Sequence, residues 1–173
     1  NHPVTSTVFI DRFLAGSEAY NIPAILVFNK IDLYAEEDQV MLGELMAIYR
    51  KIGYSCFGVS ALTGENIDKI RMLLKDKVTV LSGLSGVGKS SLINCIEPVL
   101  ELKTAMISDA HDSGKHTTTF AEMFPLSEGG SIIDTPGIRS FGTVDMKKEE
   151  ISHFFPEIFV KSSDCRFYNC THT

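Results

Sequence analysis

Two short motifs stand in an unusual order in this chain: Asn29-Lys30-Ile31-Asp32 comes before Gly83-Leu84-Ser85-Gly86-Val87-Gly88-Lys89-Ser90. The second fits G-x-x-x-x-G-K-[ST], a loop whose inward-pointing backbone N–H groups cradle phosphate oxygens. The first fits N-K-x-D, which is suited to reading a guanine base. These parts commonly occur with the phosphate loop first. The same parts in rotated order imply a circularly permuted nucleotide-binding fold, a strong restriction on topology before any helix or strand is assigned.

The pattern around the motifs supports an α/β fold of three layers. Apolar residues at helical spacing predict helices over 7–20 and 37–51, and a helix follows from about Asn66 to Leu74. Ala24 to Phe28 reads as a buried strand; Tyr54 to Val59 forms a second strand, and Val78 to Leu81 a third strand that runs into the glycine loop. Ser90 to Ile96 begins the next helix, and strands are expected over Thr119 to Leu126 and Ser131 to Asp134. Each motif falls where a strand hands over to a loop, the place where open parallel sheets bind ligands.

In the glycine loop, Gly83, Gly86 and Gly88 permit a tight backbone, and Ser85, Val87 and Ser91 complete the segment. Lys89 is placed to reach the β and γ phosphates, and the Ser90 hydroxyl is placed on Mg²⁺. The competing reading is a plain glycine-rich turn capping a helix. In the first motif, Asp32 can accept from the ring N–H and the exocyclic amine of guanine, whereas adenine would leave the carboxylate unpaired. Asn29 would contact the other edge of the base and fix the loop, while the Lys30 stem would cover a ring face. Ser60-Ala61 sits where a small-residue loop would offer a backbone N–H to the guanine oxygen, although alone Ser60 reads more simply as a helix cap.

Asp134-Thr135-Pro136-Gly137 matches D-x-x-G, in which the Asp holds Mg²⁺ through water and the Gly N–H senses the γ phosphate. The next residue is Ile138, where many GTPases carry a Gln that orients the attacking water. Residues 108–119 are polar and poor in apolar anchors, as expected of a switch segment ordered by γ phosphate and Mg²⁺. Within it Thr118, with Thr117 as second choice, would complete the metal shell. His116 is a candidate for positioning water, set against a solvated loop histidine.

Composition narrows the class. The chain has 173 residues, 44% of them hydrophobic, enough for one sizeable core. Its apolar runs fall short of the ~20 residues a membrane span needs, so a soluble, cytoplasmic protein with no membrane partner is expected. A monomer is expected as well. A formal charge of −6 gives no general basic footprint for nucleic acid. The first residue is Asn1, and the last, Thr173, falls inside a cluster of metal-ligand residue types, so a fragment is expected. That cluster is Cys165, Cys170 and His172, an incomplete set for tetrahedral zinc. Reduced cysteines in a frayed tail are the alternative. Cys56 and Cys95 read as small core residues.

Taken in order, Asn29 to Asp32, Ser60-Ala61, Gly83 to Ser91, Gly114 to Thr119 and Asp134 to Arg139 resemble the RsgA (YjeQ) family of circularly permuted, ribosome-stimulated GTPases. The resemblance spans essentially the whole chain. It implies binding of GTP/GDP with Mg²⁺, GTP hydrolysis, and a role in late maturation of the small ribosomal subunit in contact with its rRNA. It also implies a GTPase domain over 1–145, the beginning of a C-terminal zinc-binding domain over 146–173, and an N-terminal OB-fold and a first strand outside the sequence. By resemblance His116 takes the role of the family's proposed catalytic histidine. Lys115 stands where the family commonly has Arg or Gln. Two other readings compete: a phosphate-loop ATPase or small-molecule kinase, which has no use for Asn29 and Asp32, and a noncatalytic zinc-containing RNA-binding module.

Overall fold

The structure, a computed structural model, describes residues 5–102, 121–135, 147 and 150–166. Its elements alternate as the sequence pattern predicts. Helix α1 spans Thr7–Ala19, β1 Ile25–Phe28, α2 Glu36–Ile52, β2 Ser55–Gly58, α3 Ile67–Leu74, β3 Val78–Leu81, α4 Lys89–Ile96, β4 Glu122–Pro125, β5 Ser131–Asp134 and α5 Pro156–Ser162. The chain divides into two compact units, each drawn from separated stretches of sequence.

One unit contains Val27–Gln39 and Phe57–Arg139. Its core is a cluster of Val59, Ile67, Ile70, Leu74, Leu92, Ile93, Ile96 and Ile132, so α3 and α4 pack their apolar stripes around the centre of β5. In its sheet, β5 lies between β3 and β4. The β3 pairing is parallel, with Val78 opposite Ser131 and Leu81 opposite Asp134. The β4 pairing is antiparallel, with Pro125 opposite Ser131 and Glu122 opposite Asp134. This register brings the end of β3, where the glycine loop begins, beside the end of β5, where Asp134 stands.

The hairpin joining β4 and β5 fixes that register from the other end. Gly130 has φ +88°, and a Cβ there would come within 2.5 Å of the Lys77 carbonyl oxygen, so only glycine lets the turn pass this close to the start of β3. The turn is also tied to the end of α4: the buried Glu97 carboxylate accepts from Ser127 N at 2.7 Å and Ser127 Oγ at 2.8 Å. Both bonds, helped by the charge of Arg71, hold the Glu97 carboxyl below the usual carboxylate range against the effect of burial. Arg71 itself donates to the last carbonyls of α4, Cys95 O at 2.6 Å and Ile96 O at 3.1 Å.

The other unit contains Val4–Leu26, Val40–Cys56 and Ser140–Thr173. Ile10, Leu14 and Ala15 of α1, Met46 and Tyr49 of α2, and Tyr54 and Cys56 are buried. Two tyrosine hydroxyls meet carboxylates of α1: Tyr49 Oη donates to Asp11 at 2.7 Å and Tyr54 Oη to Glu18 at 2.9 Å. Burial, these hydrogen bonds and the carboxylate charges all raise both phenol pKa values, so both stay protonated donors.

One expectation needs correction. β1 is not fully buried, since Ile25 is exposed and the rest of the strand half-buried. Apolar composition reports that a strand sits in a sheet, not that both of its faces are covered. The same holds for β3, whose Val78 and Val80 are exposed while its alternate residues face the core. Cys56 is buried as expected, and Cys95 is half-buried against the core of its unit. Of the expected strand from Thr119, the first two residues lie outside the described residues. No helix among the described residues is long and apolar enough to cross a membrane.

Candidate nucleotide-binding site

The described candidate residues for nucleotide binding belong to the first unit, Cys165 to the other, and Asn29 joins the nucleotide loops. Its Oδ1 accepts from Lys30 N at 2.8 Å and from Ala61 N at 3.0 Å. Its Nδ2 donates to Val87 O at 3.1 Å and, more weakly, to Gly88 O at 3.5 Å. One side chain therefore ties the N-K-x-D loop, the Ser60-Ala61 loop and the glycine loop together. Lys30, whose backbone is left-handed at φ +67°, adds a second tie, from Nζ to Gly86 O at 2.7 Å. Gly88 lies so close that a Cβ on it would sit 2.5 Å from Asn29 Nδ2, and its φ of +92° is left-handed as well. The glycine at 88 thus answers two needs, backbone conformation and the approach of the base-reading loop.

The carboxylate of Asp32 is aimed by Ser60. The fully buried Ser60 donates its hydroxyl to Asp32 Oδ1, and its Oγ in turn accepts from Thr63 N at 3.1 Å. Asp32 is exposed, and its other oxygen makes no hydrogen bond among the described residues, which leaves it for a ligand's donors. The simpler reading of Ser60 as a helix cap is wrong: α3 begins at Ile67 with Asn66 as its cap residue. The expected roles of Asn29 and Ala61 shift too. In this state the polar atoms of Asn29 are used on the protein, and the Ala61 N–H is given to Asn29.

The phosphate side is differently furnished. β3 ends at Leu81, the glycine loop follows, and α4 begins at Lys89 with Gly88 as its cap residue, so its first N–H groups open toward the loop. Lys89 Nζ donates to Gly83 O at 2.9 Å and Leu84 O at 3.0 Å. Across from it Asp134 ends β5, and Thr135 Oγ1 donates to Leu81 O at 3.0 Å. Burial lowers the Lys89 pKa, opposed by the Asp134 charge. Burial likewise raises the Asp134 carboxyl, opposed by Lys89 and by the Thr135 N–H. In each group burial outweighs the compensation by the other's charge, a perturbation often found at functional sites.

Two buried side-chain oxygens lack a hydrogen-bond partner among the described residues, Asp134 Oδ1 and Ser82 Oγ. An orphaned carboxylate oxygen beside Lys89 fits a hydrated Mg²⁺ ion, so Asp134 fits as a residue that would hold it, with the Ser90 hydroxyl in the first turn of α4 as its expected companion. Ser82 was not anticipated from sequence. Its signal is a hydroxyl placed between an apolar strand and Gly83, a position outside the G-x-x-x-x-G-K-[ST] pattern.

His116, Thr117, Thr118, Gly137 and Ile138 lie outside the described residues, as do Cys170 and His172. Cys165 follows α5 and is half-buried. No cluster of three His, Cys, Asp or Glu residues able to hold a metal occurs among the described residues.

Comparison with known proteins places this geometry. The family model described as RsgA GTPase matches residues 1–144. A relative from Bacteroides fragilis named small ribosomal subunit biogenesis GTPase RsgA is 59% identical over 172 residues, covering 99% of this chain and 56% of its own length. One of the same name from Porphyromonas gingivalis is 59% identical over 176 residues, covering 100% of this chain and 56% of its own. Among solved structures, YjeQ from Thermotoga maritima superposes with a TM-score of 0.80 at 37% identity, over 100% of this chain and 56% of that one. YloQ, described as a circularly permuted GTPase, gives 0.76 at 34% identity, over 99% of this chain and 53% of that one. The chain thus spans about half the length of the curated relatives it matches.

Proposed function

Because this chain belongs to the RsgA GTPase family and has its circularly permuted α/β fold, we propose that the cleft of its first unit binds GTP with Mg²⁺ and hydrolyses it to GDP and phosphate. The observation that carries the reading is the Asn29 junction, which joins a guanine-reading loop to a phosphate loop from the far side of the sequence. Asp32, held by Ser60, takes the guanine N–H groups. Lys30 covers the base, and the glycine loop with the first turn of α4 takes the phosphates. Lys89 exchanges its two loop carbonyls for phosphate oxygens as the nucleotide enters.

Ser90, Asp134 and Thr118 would hold Mg²⁺, which supplies charge neutralisation at the β and γ phosphates when bound. Gly137 would sense the γ phosphate, and His116 would position the attacking water in place of the Gln that Ile138 replaces. Without that Gln the chain alone turns over slowly, no faster than on the order of 10⁻³ s⁻¹. The names of the relatives support a switch acting in maturation of the small ribosomal subunit, with the subunit and its rRNA as partners and as accelerator. The protein acts in the cytoplasm as a monomer. A GTPase domain over 1–145 and the start of a zinc-binding domain over 146–173, using Cys165, Cys170 and His172, belong to the same proposal.

The test is GTP hydrolysis measured with and without purified small subunits. Stimulation of a slow basal rate is expected. A fast rate without subunits, or no response to them, would contradict the reading.

A further inference from the structure

Thr135 has no assigned task in the reading above, yet it joins the two strands that carry the phosphate side of the cleft. Its Oγ1 donates to Leu81 O at 3.0 Å, across a separation of 54 residues. Leu81 and Asp134 form the last pair of the parallel β3–β5 ladder. The bond therefore lies at the ladder's end, where one strand leads into the glycine loop and the other finishes at Asp134.

Within a parallel ladder, carbonyls that face the neighbouring strand accept from its backbone N–H groups. At this end a side chain takes over. The Thr135 N–H is given to the Asp134 carboxylate, and the following residue, Pro136, has no N–H to donate. The Thr135 hydroxyl supplies the donor that Leu81 O receives instead. One residue thus uses its N–H on the Asp134 side chain and its hydroxyl on the strand from which the phosphate loop departs. Asp134 Oδ1 is buried without a hydrogen-bond partner among the described residues, so no bond to that oxygen sets its direction. Its place is set by the backbone that carries it, and the Thr135 hydroxyl pins that backbone to β3.

We infer that Thr135 is a positioning residue of the Mg²⁺ site, its hydroxyl anchored on Leu81 O so that the Asp134 carboxylate is held in place beside the phosphate loop. The inference rests on the reading of the cleft as a Mg²⁺–guanine nucleotide site and adds to it a residue from an unspecified position of D-x-x-G. The ties made by Asn29, Lys30 and Ser60 on the base-reading side do not involve Thr135. Loss of its hydroxyl therefore costs metal affinity while base recognition stays in place.

The experiment is titration of GDP into the full chain and its Thr135→Val and Thr135→Ser variants, each in EDTA and across a Mg²⁺ series. Valine keeps the shape and the N–H and removes only the hydroxyl donor; serine restores it. Affinity for Mg²⁺ in the GDP complex should fall by about 10-fold or more in Thr135→Val and by less than about threefold in Thr135→Ser, with GDP affinity in EDTA within about twofold of the parent in both. Equal losses with and without Mg²⁺ would give Thr135 a general role in the fold of the phosphate loop and overturn the inference. Parental Mg²⁺ affinity in Thr135→Val, or serine as impaired as valine, would overturn it as well. If Thr135→Val does not fold, Thr135→Ala is read in its place, and failure of both to fold would make the hydroxyl structural and end the inference. If the unsubstituted chain binds no GDP, the proposed function falls with it; if it binds GDP with Mg²⁺ and only the substitution is silent, the inference alone fails.

Discussion

On the base-reading side of the cleft, Asn29 uses both ends of its amide on three loops, Ser60 is committed to Asp32 and Thr63, and Lys30 is fastened to Gly86. On the phosphate side, Asp134 Oδ1 and Ser82 Oγ have no partner among the described residues, and Lys89 and Asp134 both titrate away from their ordinary values because burial strips their hydration. The first half is tied by protein hydrogen bonds; the second holds buried polar groups that the proposed nucleotide and Mg²⁺ would complete. The division would suit the proposed switch, in which base identity is read in every state while the phosphate end responds to whether a γ phosphate is present.

The sharpest way to break the contrast is to invert the donor pattern at the rigid end. Asp32→Asn should lower GTP affinity by up to about 10⁴-fold and favour xanthosine nucleotides instead, because the amide donates where the carboxylate accepted. Fluorescence titration with both nucleotides reads this directly, and unchanged GTP affinity would remove Asp32 from the site. Next in size is Gly88→Ala. Its Cβ would meet Asn29 Nδ2 at 2.5 Å from a left-handed backbone position, so the two loops must part. A stability loss of about 1–3 kcal/mol from backbone strain is expected, with weaker binding of base and phosphate together. A variant that melts and binds like the parent would show that the loops do not need to touch.

Asn29→Ala separates the loops without adding bulk. It strands the Ala61 and Lys30 N–H groups and should cost about 1–2 kcal/mol in stability, with faster nucleotide release in stopped-flow measurements. Release at the parental rate would refute Asn29 as the junction. The smallest effect lies behind the site, at the tie between α4 and the β4–β5 turn. Glu97→Gln should cost about 1 kcal/mol at neutral pH. The folded-state pKa of Glu97 is depressed, so its contribution is fully present above the unfolded value near 4.5 and disappears as pH falls through the lower folded value. The stability gap between parent and variant, followed by denaturant melts, should therefore close in acid. A gap that widens as pH falls would have the wrong sign.

Much of this was readable from the sequence because it is local. The glycine loop, the N-K-x-D element and Asp134 each sit on a strand end that the apolar pattern marks, and β3 and β5 begin and end at the predicted residues. What escaped is what depends on register between distant segments. That Ser60 serves Asp32 rather than a helix needs the two loops in contact, and that Ser82 is orphaned needs the β3–β5 pairing. The exposure of Ile25, Val78 and Val80 was hidden for a related reason, since an apolar strand looks alike whether one face is covered or two.

The central claim is that base and phosphates are read in one cleft. Equilibrium competition of GDP and ADP for a fluorescent GDP analogue bound to the full chain tests it most directly. The account predicts that ADP displaces the analogue only at concentrations on the order of 10⁴-fold above GDP, since adenine leaves the Asp32 carboxylate unpaired. ADP and GDP competing equally would mean that the phosphate loop binds without the base-reading loop, and would contradict it.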